Sequence, residues 1–113
     1  MHELSIAMSI VSAAEAGAKA NNAVRIKKIY LQIGALSGIE LDALDFAWPL
    51  ATKNTMLETA EKFIEVIPAK AECLECKKEF DIQNPFDPCP HCGSYFKQYI
   101  RGKELKIKYI EIE

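Results

Sequence analysis

Cys73-Leu74-Glu75-Cys76 and Cys89-Pro90-His91-Cys92-Gly93 are two C-x-x-C pairs separated by twelve residues, and they decide how the 113-residue chain is organised. All four cysteines lie here and none in the first seventy-two residues. Two intervening residues let both thiolates of a pair reach one ion, and a second pair completes a tetrahedron at about 2.3 Å per Zn–S bond. Gly93 follows the second pair where a tight turn favours a residue without a Cβ, and Pro85, Pro88 and Pro90 stiffen the approach. Paired cysteines in a reducing compartment mark a metal site more often than disulfides. Four thiolates would fill tetrahedral Zn²⁺ and leave no position for substrate water, so the zinc expected at Cys73, Cys76, Cys89 and Cys92 is structural. A rubredoxin-type iron centre uses the same donors, and spacing alone does not separate the two metals. Redox dithiols normally sit at a helix start in a thioredoxin-like setting, which is missing here.

Reading outward from this insert, residues 4 to 20 predict a helix with Leu4, Ala7, Met8, Val11, Ala14 and Ala18 on one face, stopped at Asn21-Asn22. Val24 to Ile33 predicts a strand in which Ile29, Leu31 and Ile33 alternate with polar neighbours. Val24 and Ile26 have the opposite parity, so either a bulge near Lys27-Lys28 shifts the phase or pairing starts after it. Ser37-Gly38-Ile39-Glu40 fits a capping box before a second helix carrying Leu41, Leu44, Ala47, Trp48 and Ala51, which Pro49 should kink or end. Residues 61 to 72 read as a second strand interrupted at Pro68, and Leu105, Ile107 and Tyr109 as a third. The expected fold is α/β (α+β): two helices packed on a three-stranded sheet, with an inserted four-cysteine zinc-ribbon-like module. Residues 1–72 plus 103–113 would form the α/β domain and 73–102 the zinc-binding module.

Composition narrows the function. Half the residues are hydrophobic and 27% charged, as in a globular protein. Fourteen Lys and Arg against sixteen Asp and Glu give a net charge of −2, which offers nucleic acid no general attraction. No apolar run is long enough to span a membrane and no basic segment precedes an apolar stretch at the N-terminus, so a cytoplasmic location is expected. The chain has two histidines and shows no nucleophile–base arrangement or phosphate loop, so an enzyme is not expected. The rival reading is a zinc-ribbon adaptor binding nucleic acid or protein, through Lys77, Lys78, Lys97 and Arg101 among Tyr95, Phe96 and Tyr99.

A second metal-binding feature opens the chain. In Met1-His2-Glu3 the α-amine of Met1, the deprotonated amide of His2 and its imidazole can close fused chelate rings around one ion in a plane. Glu3, through its amide or carboxylate, or a donor elsewhere, supplies the fourth ligand. Planar nitrogen coordination suits Ni²⁺ or Cu²⁺ rather than Zn²⁺. A bulky second residue favours retention of the initiator Met1. By itself, a histidine here is more often an exposed residue on a frayed end. His91 is a solvent-facing spacer on the plain reading, and an auxiliary metal ligand or pH sensor on the functional one.

Taken together, Met1-His2-Glu3-Leu4-Ser5, Ile33-Gly34-Ala35-Leu36-Ser37-Gly38, the paired cysteines continuing into Gly93-Ser94, and Gly102-Lys103-Glu104-Leu105 resemble the HypA/HybF family of hydrogenase nickel-incorporation proteins. The resemblance covers essentially the whole chain. It implies a nickel metallochaperone that helps insert Ni²⁺ into the large subunit of [NiFe]-hydrogenase and, in some organisms, supports urease maturation proteins. It also implies work with the nickel-binding GTPase HypB, His2 as nickel ligand with Met1 and Glu3 contributing, and zinc at the four cysteines. Nucleic acid and membrane are not among the implied partners, and a sheet edge leaves a homodimer open. Asn54 stands where the family is expected to carry glycine; asparagine also accepts the left-handed conformation.

Overall fold

A computed structural model of the chain describes residues 2–113. Helix α1 (His2–Ala20) is rich in alanine and free of proline. Its buried side is Glu3, Ala7, Ile10, Val11, Ala14 and Ala18. This row is rotated from the expected one: Met8 is 57% exposed and Ile10 is buried. The spacing admits both rows, and the interior takes the one with the branched Ile10 beside Val11. The helix stops where expected. Asn22 adopts a positive φ of 59°, Ala23 N–H donates to Ala18 O at 3.0 Å and Asn22 N–H to Lys19 O at 3.1 Å, the nested pair that closes a helix at a left-handed residue.

Strand β1 (Ile26–Gly34) buries Ile26, Ile29, Leu31 and Ile33, so burial changes parity across Lys27-Lys28 within one continuous strand. Helix α2 (Leu41–Thr52) corrects the expected capping box and excludes one of the two outcomes expected of Pro49. No capping box forms: Glu40 is itself the N-cap, in extended conformation, with no side chain capping the helix. The box requires Glu40 one turn inside the helix, whereas α2 begins after it. Pro49 does not end the helix, which continues to Thr52. Proline at this point removes one donor close to the final turn, where Thr52 Oγ1 donates to Trp48 O at 3.0 Å.

Strands β2 (Glu61–Ile67) and β6 (Leu105–Ile112) flank β1 in a three-stranded sheet of order β2-β1-β6. The helices contact each other, and α2 is tied to β2 where Lys62 pairs with Asp45 and lies 5.7 Å from the centre of the Trp48 ring. The two-helix, three-stranded α/β class is therefore the fold observed. The expected strand over 61–72 is two strands, β2 and β3 (Lys70–Cys73), belonging to different sheets and separated at Pro68-Ala69. Proline cannot donate to a ladder, and the break there redirects the chain. Strand β3 is the centre of a second sheet, antiparallel to both β4 (Glu79–Asp81) and β5 (Lys97–Arg101). These strands of three to five residues are too short to reveal alternation in sequence.

By backbone contacts the chain divides into two compact units, residues 1–31, 39–65 and 106–113 in one, and residues 32–38 and 66–105 in the other. The first buries Ile26, Ile29, Leu31, Leu44 and Leu57 completely or nearly so, each aliphatic side chain stabilising the fold by about 1.5–3 kcal/mol. It also stacks Tyr30 against Phe63 and Tyr109, with ring centres 4.7 and 4.1 Å apart. Burial beside Tyr109 pushes the Tyr30 phenol up to about 12. The second unit has its own small core of Ala69, Ala71, Cys73, Phe80, Ile82 and Cys89. In it Gly34 and Gly102 approach so closely that a Cβ on Gly34 would overlap the Gly102 carbonyl. Gly102, at φ 111°, closes the contact while Leu36 N–H donates to its oxygen at 2.8 Å.

Candidate metal centre

The two C-x-x-C pairs fold into near-identical knuckles. In the first, Cys73 N–H donates to Lys78 O at 2.9 Å and Lys77 N–H to Cys73 O at 3.0 Å. In the second, Cys89 N–H donates to Ser94 O and Gly93 N–H to Cys89 O, both at 2.8 Å. The turn residue is left-handed in each, Lys77 at φ 65° and Gly93 at φ 79°. Glycine at 93 was readable as a turn signal; the equivalent role of Lys77 was not, because a lysine gives no such hint.

These turns aim all four sulfurs at one point. The Sγ atoms of Cys73, Cys76, Cys89 and Cys92 lie within 4.8 Å of one another, with Cys73 to Cys92 at 3.5 Å and Cys76 to Cys89 at 3.7 Å. Backbone donors face the cluster too: Cys76 N–H points at Cys73 Sγ (3.5 Å) and His91 N–H at Cys89 Sγ (3.4 Å). Cys73 and Cys89 are buried, Cys76 half-buried and Cys92 exposed. The Cys76 backbone donor draws the Cys73 thiol down to about 6. Although the Ser94 backbone donor favours ionisation of Cys92, its bond to Cys73 and the partial desolvation of its sulfur beside the other thiols push it up to about 12. Neighbouring sulfurs resist sharing several negative charges, and a dication at their centre removes that conflict. Four thiolates this close together fit tetrahedral Zn²⁺ and would leave it no open site. His91 is exposed on the second knuckle.

At the other candidate site, Met1 lies outside the described residues. His2 is exposed at the start of α1. Glu3 is only 7% exposed, and its carboxylate accepts the Glu40 N–H at 3.2 Å, so a charge from the first turn of α1 holds the entry to α2. That backbone donor keeps the Glu3 carboxyl below its usual value. The bond spans 37 residues, and no sequence pattern announced it. It brings the Glu40 backbone to the first turn of α1, while the Glu40 side chain is exposed. Among the basic residues of the rival adaptor reading, Lys97 is engaged within its own unit, donating to the carbonyls of Pro85 and Tyr95 at 3.1 Å each.

A family model described as hydrogenase/urease nickel incorporation, metallochaperone, hypA matches residues 1–112. The chain belongs to the HypA family. A hydrogenase maturation factor HypA from Geobacter metallireducens is 42% identical over 113 residues, covering all of both chains. Another HypA, from Chloroflexus aggregans, is 43% identical over 112 residues and 98% of each chain. Among solved structures, the Ni metallochaperone HypA from Helicobacter pylori superposes with a TM-score of 0.73 at 22% identity, over 97% of this chain and 96% of that one. At that identity the likeness concerns the fold. HypA proteins are maturation factors and metallochaperones rather than enzymes, and the adaptor reading is not favoured. No helix among the described residues is long and apolar enough to cross a membrane. Asn54, at φ 61°, takes the left-handed conformation anticipated for it.

Proposed function

We propose that this HypA-family chain captures Ni²⁺ at its N-terminus and delivers it to the large subunit of [NiFe]-hydrogenase, with urease as a further client, in concert with the nickel-binding GTPase HypB. His2 is the principal ligand through imidazole and amide nitrogen. Met1 contributes its α-amine, and Glu3 its backbone nitrogen, while the Glu3 carboxylate accepts the Glu40 N–H. In this reading the first unit (residues 1–31, 39–65 and 106–113) carries nickel, while the second (32–38 and 66–105) holds one structural Zn²⁺ on Cys73, Cys76, Cys89 and Cys92, with His91 facing solvent beside it.

The observation that carries the reading is the exposure of His2 at a helix start whose next residue is anchored inward. An ion held there stays reachable, and its ligands can leave one at a time as those of an acceptor replace them. The imidazole binds metal only when neutral, so mildly acid solution favours release.

Calorimetric nickel titration of the protein with its native terminus, of His2→Ala, and of a variant with one glycine before Met1 tests this. His2→Ala should lose at least about a hundredfold in affinity, the scale of removing one ligand. The glycine extension should also weaken binding, because it displaces the amine without altering a side chain. Equal affinity in all three would contradict the proposal.

A further inference from the structure

The first unit carries an open groove of about 520 Å³ lined by Glu3 and Leu4 of α1 and by Ala43, Phe46, Ala47 and Leu50 of α2. Its floor is small and apolar, and its walls include two large side chains left in water, Phe46 at 90% and Leu50 at 67% exposure. Isolated exposed hydrophobics are ordinary; two of them one helical turn apart, flanking an alanine-floored trough, form a contiguous apolar surface. Their spacing suits an incoming amphipathic helix with anchors at three- and four-residue steps.

Charge selects among occupants. Asp42 stands one turn before Phe46 and Glu40 precedes the helix; both are exposed and neither makes an ion pair among the described residues. From Leu41 to Thr52, α2 holds Asp42 and Asp45 and no cation. A second copy of this chain seated face to face would bring like charges together at the rim, which is costly. A helix with Lys or Arg flanking its apolar stripe would instead meet opposite charge.

We infer that the Leu4–Phe46–Leu50 groove is the docking site for a basic amphipathic helix of a partner protein. Because Glu3 forms one wall, the docked partner lies beside His2, so the groove's purpose rests on the nickel reading although its binding does not.

The test uses the zinc-loaded full chain and two synthetic eighteen-residue helical peptides sharing one leucine stripe, flanked by lysines in one and glutamates in the other. Fluorescence anisotropy should show the lysine peptide binding at least about tenfold more tightly, with amide shifts concentrated at Ala43, Phe46, Ala47 and Leu50. Phe46→Ala should weaken it about tenfold, the scale of a truncated anchor, and Asp42→Lys should narrow the gap between peptides. His2→Ala should keep peptide binding whatever it does to nickel, which separates failure of this inference from failure of the nickel reading. Equal binding of both peptides, shifts centred elsewhere, or self-association relieved by Phe46→Ala would each overturn the inference.

Discussion

The cysteine knuckles and the N-terminal turn, the two proposed metal sites, are built in opposite ways. The knuckles bring four sulfurs within 4.8 Å of one another and bury two of them, using repeated backbone hydrogen bonds to fix each turn. The N-terminal turn leaves its histidine in solvent and secures only the residue behind it, Glu3. A saturated site on fixed turns retains an ion because a ligand that lets go stays close enough to rebind; an open site at a chain end leaves room for an acceptor's ligands to replace its own in sequence. One protein can therefore keep one metal and hand on another.

The strongest way to break this contrast is Cys89→Ser. Structural zinc is coupled to folding by about 10–16 kcal/mol in small zinc modules. The variant should therefore lose zinc and the dispersed NMR signals of Ala71 and Phe80, while helical signals from α1 persist. Gly34→Ala, which forces a Cβ against the Gly102 carbonyl, should lower stability by about 2–4 kcal/mol in thermal denaturation while leaving the zinc content at one ion per chain. That outcome would separate the architecture of the second unit from its metal.

Glu3→Gln probes the anchoring of the first turn and should have a smaller effect. An ionised acceptor makes a stronger hydrogen bond than an amide, so the variant should melt at a lower temperature than wild type at pH 7. Because the Glu3 carboxyl lies below its ordinary 4.5, its contribution is complete above that value and fades as pH falls through the lower folded-state value. The two melting curves should thus converge in acid; a constant gap from pH 7 to pH 3 would remove the role of the charge. Smallest of all, Phe46→Ala should change stability by no more than about 0.5 kcal/mol, since the ring is 90% exposed.

What could be read in the sequence follows how local the cause is. The cysteine site was legible because C-x-x-C is a complete local instruction, and both knuckles obey it. The stop of α1 at Asn21-Asn22 and the parity change in β1 were legible for the same reason. The side of α1 that faces inward was not: Met8 and Ile10 compete locally, and packing chose between them. The capping box at Ser37–Glu40 was a correct local pattern overridden by a carboxylate 37 residues away. Pro49 was expected to kink or end α2; the helix runs on to Thr52, because the lost donor falls near its end and Thr52 supports the last turn. The second sheet was invisible because three-residue β4 is shorter than any alternation.

Whether two ions occupy two chemically distinct sites is decided by X-ray absorption at both metal edges of the doubly loaded, native-terminus protein. Zinc should show four sulfurs at about 2.3 Å, unchanged on nickel loading, and nickel a shell of nitrogen and oxygen alone. Sulfur in the nickel shell, or zinc that loses sulfur when nickel is added, would contradict two distinct sites.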